Sequence, residues 1–185
     1  MMQLGYIGLG NMGGALARRL MREHQLRAFD LRPEVLGRFA ELGAVPTQSA
    51  QALARESEMV MTCLPTSAEV RDVLFGEGRV AEVLRPGQII ADMTTGDPGE
   101  TREMAARLAE KGVHMIDAPV SGGPHGANAG TIAIMIGAPA DLFAKVKTDF
   151  RDDQPQHLPY RQCRHRPCHE ACQQRDQRRG AGGDL

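Results

Sequence analysis

An α/β fold built on a doubly wound, mostly parallel sheet is what this sequence predicts, and three observations carry the prediction. Short apolar runs of strand length alternate with amphipathic stretches of helix length along residues 1–150. The first apolar run leads straight into a glycine-rich turn, Gly8-Leu9-Gly10-Asn11-Met12-Gly13, and then into a helical pattern. Ligands in such sheets sit beyond the carboxyl ends of the strands, and here those ends are rich in Gly, Pro, Ser, Thr and Asp.

Each element has its own local reason. Leu4, Tyr6 and Ile7 suit a buried strand, and Leu16, Ala17 and Leu20 fall on one helical face. Residues 26–30 read as a second strand ending in Asp30. Pro33 starts a helix that runs to about Leu42, where Gly43 ends it. Residues 45–47 form a short extended piece, and Ser49 is placed to cap a helix over 50–55. A third main strand covers 58–64, a helix 68–74, and a helical turn or short helix 80–84. Residues 88–93 form a strand that runs into Thr94-Thr95-Gly96-Asp97. Pro98 opens a helix to Lys111 with Ala105, Leu108 and Ala109 inward, and Gly112 ends it. Strands over 113–118 and 131–136 and a helix over 141–149 complete the series.

The bulk numbers exclude several classes. The 185 residues are 42% hydrophobic with a net charge of −1, so neither nucleic acid nor a membrane surface is indicated as a partner. No apolar run approaches the ~18 residues of a spanning helix. The N-terminus enters a strand directly, without a signal-peptide pattern, which predicts a cytoplasmic protein. Composition breaks at Arg151. From there to Leu185 there is no Val, Ile, Met or Phe, while seven arginines, six glutamines and three of the four cysteines crowd in. Such a segment cannot build a core, so two parts are expected: a folded domain over 1–150 and a disordered tail over 151–185.

The glycine spacing carries the first chemistry. In G-x-G-x-x-G the first glycine permits the tight turn, the second lets backbone approach a pyrophosphate, and the third lets helix pack close to strand. The helix N-terminus adds free N–H groups and a positive dipole end. Asp30 follows at the end of the second strand, placed to accept hydrogen bonds from adenosine ribose hydroxyls. Its charge would also repel a 2′-phosphate by roughly 4 kcal/mol at ~4 Å and an effective dielectric near 20. Arg32 cuts the other way if it pairs with that phosphate; otherwise it is a solvated loop charge. The balance leans to NAD, with NADP possible. Leu64 and Pro65 lie where a strand end would meet the ribose or nicotinamide half. Thr95 lies at the next strand end, where its hydroxyl could bond the cofactor, unless Thr94 and Thr95 serve to cap the helix before Pro98. Residues 117–131 read D-A-P-V-S-G-G-P-H-G-A-N-A-G-T, a glycine- and proline-rich loop around Ser121. Exposed N–H groups and a hydroxyl there suit a carboxylate or alcohol. His125 is either an acid/base or a surface histidine.

Together these stretches resemble the 3-hydroxyisobutyrate dehydrogenase (β-hydroxyacid dehydrogenase) family. Its relatives include 2-hydroxy-3-oxopropionate reductases and, more distantly, 6-phosphogluconate dehydrogenase. The matching marks are G-L-G-N-M-G at residues 8–13, C-L-P-T-S at 63–67 and D-x-P-V-S-G-G-x-x-x-A-x-x-G-T at 117–131. The resemblance implies a Rossmann-type domain and an NAD(P)-dependent oxidoreductase that moves hydride between nicotinamide and a small β-hydroxy acid or its semialdehyde. It implies that Gly8, Leu9, Gly10, Asn11, Met12 and Gly13 bind the dinucleotide, and that Leu64, Pro65, Glu69 and Thr95 line it. It implies that Ser121, Gly122 and Gly123 contact the substrate carboxylate or hydroxyl. Intact family members oligomerise through a helical second domain, which has no counterpart here.

The family's general acid/base lysine, in a later G-x-G-x-x-x-K-x-x-N-N motif, is also missing, since the last lysine is Lys147. No catalytic residue is therefore intact. One allowed set of codons for residues 162–178, read from the second nucleotide, gives N-V-G-T-G-H-A-M-K-L-V-N-N-A-I-S. That string contains the missing motif, with the lysine codon lying across Glu170 and Ala171. A one-base frameshift near codon 151 accounts for the tail. The rival account is a metal site at Cys163, Cys168, Cys172, His165 and His169, but C-x4-C-x3-C is not a usual zinc spacing. We therefore expect no metal. The alternative function is a catalytically inactive dinucleotide-binding remnant.

Overall fold

A computed structural model describes residues 2–146 and 160–162. In chain order the elements are β1 (Leu4–Ile7), α1 (Asn11–Leu20), β2 (Leu26–Phe29), α2 (Pro33–Glu41), β3 (Val45–Pro46) and α3 (Ala50–Arg55). Next come β4 (Met59–Thr62), α4 (Ser67–Phe75), α5 (Val80–Val83), β5 (Ile89–Asp92), α6 (Pro98–Ala109) and β6 (His114–Asp117). The series closes with β7 (Val120–Ser121), α7 (Gly123–Ala129), β8 (Ala133–Ile136), α8 (Ala140–Val146) and β9 (Tyr160–Gln162).

Six strands pair in the order β3-β2-β1-β4-β5-β6, every pair parallel. This is the doubly wound order of dinucleotide-binding sheets. β1, β4 and β5 are buried at all four positions because helices cover both faces. Strand alternation divides the core in two. Leu4, Tyr6, Met59, Met61, Ile89 and Ala91 pack with α1, α7 and α8. Ile7, Val60 and Ile90 pack with α3, α4, α5 and α6 on the other face. Gly5 is the close-approach point of that second layer: a Cβ there would run into the Leu53 side chain.

The expected elements form with ends shifted by a residue or two, the far end of the helix expected over 141–149 lying outside the described residues, and two details differ. The inward face of α6 is Met104 and Leu108, four residues apart, whereas Ala109 is exposed and Ala105 half-buried. The larger Met side chain takes the core position that the alanine pattern suggested. The glycine-rich stretch after Asp117 is not one loop. It holds β7, which pairs antiparallel with β8, and the short helix α7. Pro124 in the first turn and Gly130 in the left-handed conformation at the C-cap delimit that helix. Its small residues Gly126 and Ala127 are buried, which lets α7 lie directly on α1. From residue 147 onward the described chain is Tyr160–Gln162, a strand parallel to β8; the predicted disordered tail, its cysteines and the frameshift otherwise lie outside the described residues. Among the described residues no helix is long and apolar enough to cross a membrane.

Candidate functional site

The carboxyl ends of β1, β2, β4 and β5 meet at one edge of the sheet. Ile7, Phe29, Thr62 and Asp92 stand in register there, with Asp117 beyond Asp92. The segments that leave these residues build the site.

The turn after β1 is shaped by three glycines with three different reasons. Gly8 has φ +96°, and a Cβ on it would strike the Cys63 carbonyl oxygen and stand 2.8 Å from Leu64 Cδ2. A Cβ on Gly13 would strike the Gly8 carbonyl oxygen and come within 3.1 Å of Cys63 Cβ. Both positions are therefore demanded by packing. Gly10 is different. Its extended backbone suits any residue, and among the described residues a Cβ there would have Arg32 Nη2, at 3.9 Å, as its nearest neighbour. As N-cap of α1, Gly10 brings no side chain to the first-turn N–H groups, and such groups have no acceptor within the helix. The result is an open, positively polarised cradle at the head of a ten-residue helix, where a side chain would intrude. Asn11 and Met12 form the helix's first turn beside it.

Asp30 sits next to this turn with its carboxylate fully engaged. Oδ2 accepts from the Leu9 N–H at 2.7 Å and from Arg32 Nη2 at 3.1 Å; Oδ1 accepts from the Arg32 N–H at 3.0 Å and Nε at 2.9 Å. Burial alone would push this carboxyl up, but the bonds from Arg32 and Leu9 outweigh it and hold it below the usual carboxylate range. Sequence reasoning offered Arg32 as a phosphate partner or a solvated charge. The structure makes it a bidentate partner of Asp30, a two-residue contact no periodicity reveals.

Past β4, Cys63 lies under the turn, half-buried. Burial pushes its thiol up to about 11, against a hydrogen bond with Tyr6 that lowers it and with the nearby Asp92 charge adding to the rise. Leu64 is half-buried against Gly8 and Pro65 is exposed. Glu69 closes a capping box at the start of α4: its Oε2 accepts from the Thr66 N–H at 2.8 Å and hydroxyl at 2.5 Å, while Thr66 Oγ1 accepts from the Ala68 N–H. Past β5, capping of α6 falls to Asp97, whose Oδ1 accepts from the Glu100 N–H at 2.9 Å, so the threonines are not its caps. Thr95 is exposed at the edge, whereas Thr94 is buried and accepts the Leu64 N–H at 3.1 Å. Sequence reasoning passed over Asp92, which holds Thr62 and Thr94 by hydrogen bonds. An acid as the last residue of a fully buried strand was the signal. Ser121 is exposed at the end of β7, followed by Gly122 (φ +132°) and Gly123 (φ +65°), with open space where a Gly123 Cβ would lie. His125 is exposed on α7. No group of three or more potential metal ligands occurs among the described residues.

Comparison with known proteins places this geometry. The model for the NAD binding domain of 6-phosphogluconate dehydrogenase matches residues 3–152. A probable mitochondrial 3-hydroxyisobutyrate dehydrogenase of Dictyostelium discoideum is 40% identical over 146 residues, 78% of this chain and 46% of that protein. The 2-hydroxy-3-oxopropionate reductase of Escherichia coli (strain K12) is 39% identical over 150 residues, 80% of this chain and 51% of that protein. The structure of Mycobacterium tuberculosis 3-hydroxyisobutyrate dehydrogenase with L-serine superposes with a TM-score of 0.83 at 29% identity, over 95% of this chain and 59% of that one. The chain thus spans about half the length of the curated relatives it matches.

Proposed function

The chain belongs to the family of the NAD binding domain of 6-phosphogluconate dehydrogenase, and from that premise we propose that it binds a nicotinamide dinucleotide across the carboxyl edge of its sheet, as the cofactor half of a β-hydroxyacid dehydrogenase. The observation that carries this is Gly10: nothing among the described residues requires a glycine there, while a pyrophosphate approaching the α1 N-terminus does. Gly8, Leu9, Gly10, Asn11, Met12 and Gly13 cradle the pyrophosphate. Asp30 and Arg32 meet the adenosine ribose, with NAD preferred over NADP. Leu64, Pro65, Glu69 and Thr95 face the nicotinamide half. When bound, the dinucleotide supplies the hydride acceptor or donor. Ser121, Gly122 and Gly123 hold the carboxylate or hydroxyl of a small β-hydroxy acid, where the hydroxyl and exposed N–H groups orient it without adding charge.

The alcohol proton needs a general acid/base, and the chain contains no lysine after Lys147. Absence of such a group typically costs about 10²–10⁴-fold in rate. The second reading, a dinucleotide-binding remnant with little or no turnover, rests on that observation. It agrees with a one-base frameshift near codon 151, which the end of the family match at residue 152 supports. Coding DNA that, restored by one base, failed to read into the lysine motif would remove the frameshift. A cytoplasmic location belongs to the same reading and is tested by cell fractionation.

The test of the function is titration of the chain with NADH, followed by nicotinamide fluorescence, for the wild type and Gly10→Ala. The wild type binds. Gly10→Ala loses at least about tenfold in affinity, one to two hydrogen bonds' worth, yet keeps its melting temperature because its methyl group meets only Arg32 Nη2, at an ordinary contact distance of 3.9 Å. Absence of wild-type binding, or equal binding by the two, refutes the proposal.

A further inference from the structure

The carboxylate of Asp92 is the most enclosed charged group at the ligand edge of the sheet, and nothing in the dinucleotide reading uses it. Its residue is 1% exposed, between Thr62 at 0% and Thr94 at 3%. Burying a carboxylate is unfavourable unless its oxygens are well bonded, and a strand end needs no acid; β1 ends in Ile7 and β2 in Phe29. What Asp92 holds explains its presence. Its Oδ1 accepts from the Thr62 hydroxyl at 2.8 Å and from the Thr94 N–H at 3.0 Å. Thr94 Oγ1 in turn accepts from the Leu64 N–H at 3.1 Å.

We propose that Asp92 is a positioning residue: through Thr94 it ties the segment leaving β4 to the segment leaving β5, and so fixes Leu64, Pro65 and Thr95 around the nicotinamide half of the dinucleotide. This rests on the dinucleotide reading and goes beyond it. The links are the substance of the proposal. Asp92 Oδ1 takes the Thr94 N–H and the Thr62 hydroxyl, and Thr94 held in this way presents Oγ1 to the Leu64 N–H. Removing the Asp92 carboxylate, or the Thr94 oxygen, breaks this relay of bonds and lets the Leu64 segment drift. Backbone bonds already join the strands themselves, Met93 N–H to Thr62 O at 2.8 Å and Ala118 N–H to Asp92 O at 2.7 Å. Loss of the relay thus loosens the loops and leaves the sheet intact.

Among the described residues, the adenosine side of the site, residues 8–13 with Asp30, makes no hydrogen bond with Asp92, Thr94 or Leu64. That separation gives a readout a merely structural role would not move: affinity for NADH against affinity for ADP-ribose, which lacks the nicotinamide. Calorimetric titration of the full 185-residue chain compares wild type, Asp92→Ala, Thr94→Val and Thr94→Ser. Asp92→Ala and Thr94→Val bind ADP-ribose within about twofold of wild type but NADH about tenfold more weakly, the effect of a lost buried hydrogen bond. Thr94→Ser, which keeps the hydroxyl, matches wild type for both. If one acid variant fails to fold, judged by its melting curve, the Thr94→Val and Thr94→Ser pair carries the same comparison. Parallel losses for NADH and ADP-ribose, or no loss for either, overturn the positioning role alone. A wild-type chain that binds neither ligand overturns the dinucleotide reading and this role with it.

Discussion

Replacing Arg32 by alanine frees the acid that the dinucleotide reading assigns to the ribose. A carboxylate offers about four acceptor sites, and all four on Asp30 are taken: three by Arg32 donors and one by the Leu9 N–H. Ribose hydroxyls can bond Asp30 only after the guanidinium moves aside. The Arg32 side chain is 52% exposed and that of Asp30 6%. An ion pair so open on one side is weak, so displacing it weakens NADH binding by only about two- to fivefold. Arg32→Ala removes that burden, and its NADH affinity rises by the same factor. NADPH moves the other way. Without Arg32 the 2′-phosphate loses a charge-assisted partner and meets the bare Asp30 charge, a loss of about 1.5–3 kcal/mol or roughly 10- to 150-fold. Fluorescence titration of both proteins with NADH and NADPH, at low and high salt, reads the two effects; the NADPH change shrinks with salt because its partner is exposed. Weaker NADH binding by Arg32→Ala would refute the reasoning, since Arg32 would then support the ribose rather than compete for its acceptor.

Other expectations follow from the same edge of the sheet. Gly13→Ala, unlike Gly10→Ala, forces a methyl group into the Gly8 carbonyl and destabilises the fold by about 1–3 kcal/mol, seen as a lower melting temperature even without ligand; an unchanged melt would contradict the close packing of turn and helix. Cys63, with its thiol pushed up to about 11 under the turn, resists iodoacetamide at neutral pH, and peptide mass mapping that found it alkylated as fast as a free thiol would disprove its enclosure. The Asp92 carboxyl is pushed up by burial, against hydrogen bonds from Thr94 and Thr62, with Cys63 as a titratable neighbour. A raised carboxyl contributes stability that is full below the unfolded value near ~4 and is lost as pH rises through the folded value. Wild type therefore loses stability relative to Asp92→Asn as pH rises from about 4 toward neutrality, and thermal melts that show a constant difference would contradict this.

Much of the fold was legible because its cues are local. Ser49 as a cap, Pro33 and Pro98 as helix openers, and the apolar runs of β1, β4 and β5 act within a few residues of where they stand. The glycine turn was legible for the same reason: its spacing encodes a turn, an approach and a contact that hardly depend on the rest of the chain. The helix α7 was not, because seven residues rich in glycine have little helical tendency of their own. It forms where α1 offers a surface that only small residues can approach. The inward face of α6 failed likewise, since Ala and Met at neighbouring positions fit a helical period equally and the depth of the opposing core chooses Met104.

Two pairs of residues mark the division. Asp30 and Gly10 could be placed at the carboxyl edge of the sheet from spacing alone, because a strand end and a helix start are local features wherever they fold. That Arg32 occupies Asp30, and that Asp92 reaches Leu64 through Thr94, required the sheet to be assembled: β4 and β5 contribute Thr62 and Asp92, thirty residues apart, to one register row. Hydrogen-bond saturation is a property of distances between side chains. The order of residues in a chain carries the groups, and packing alone sets which donor reaches which acceptor first.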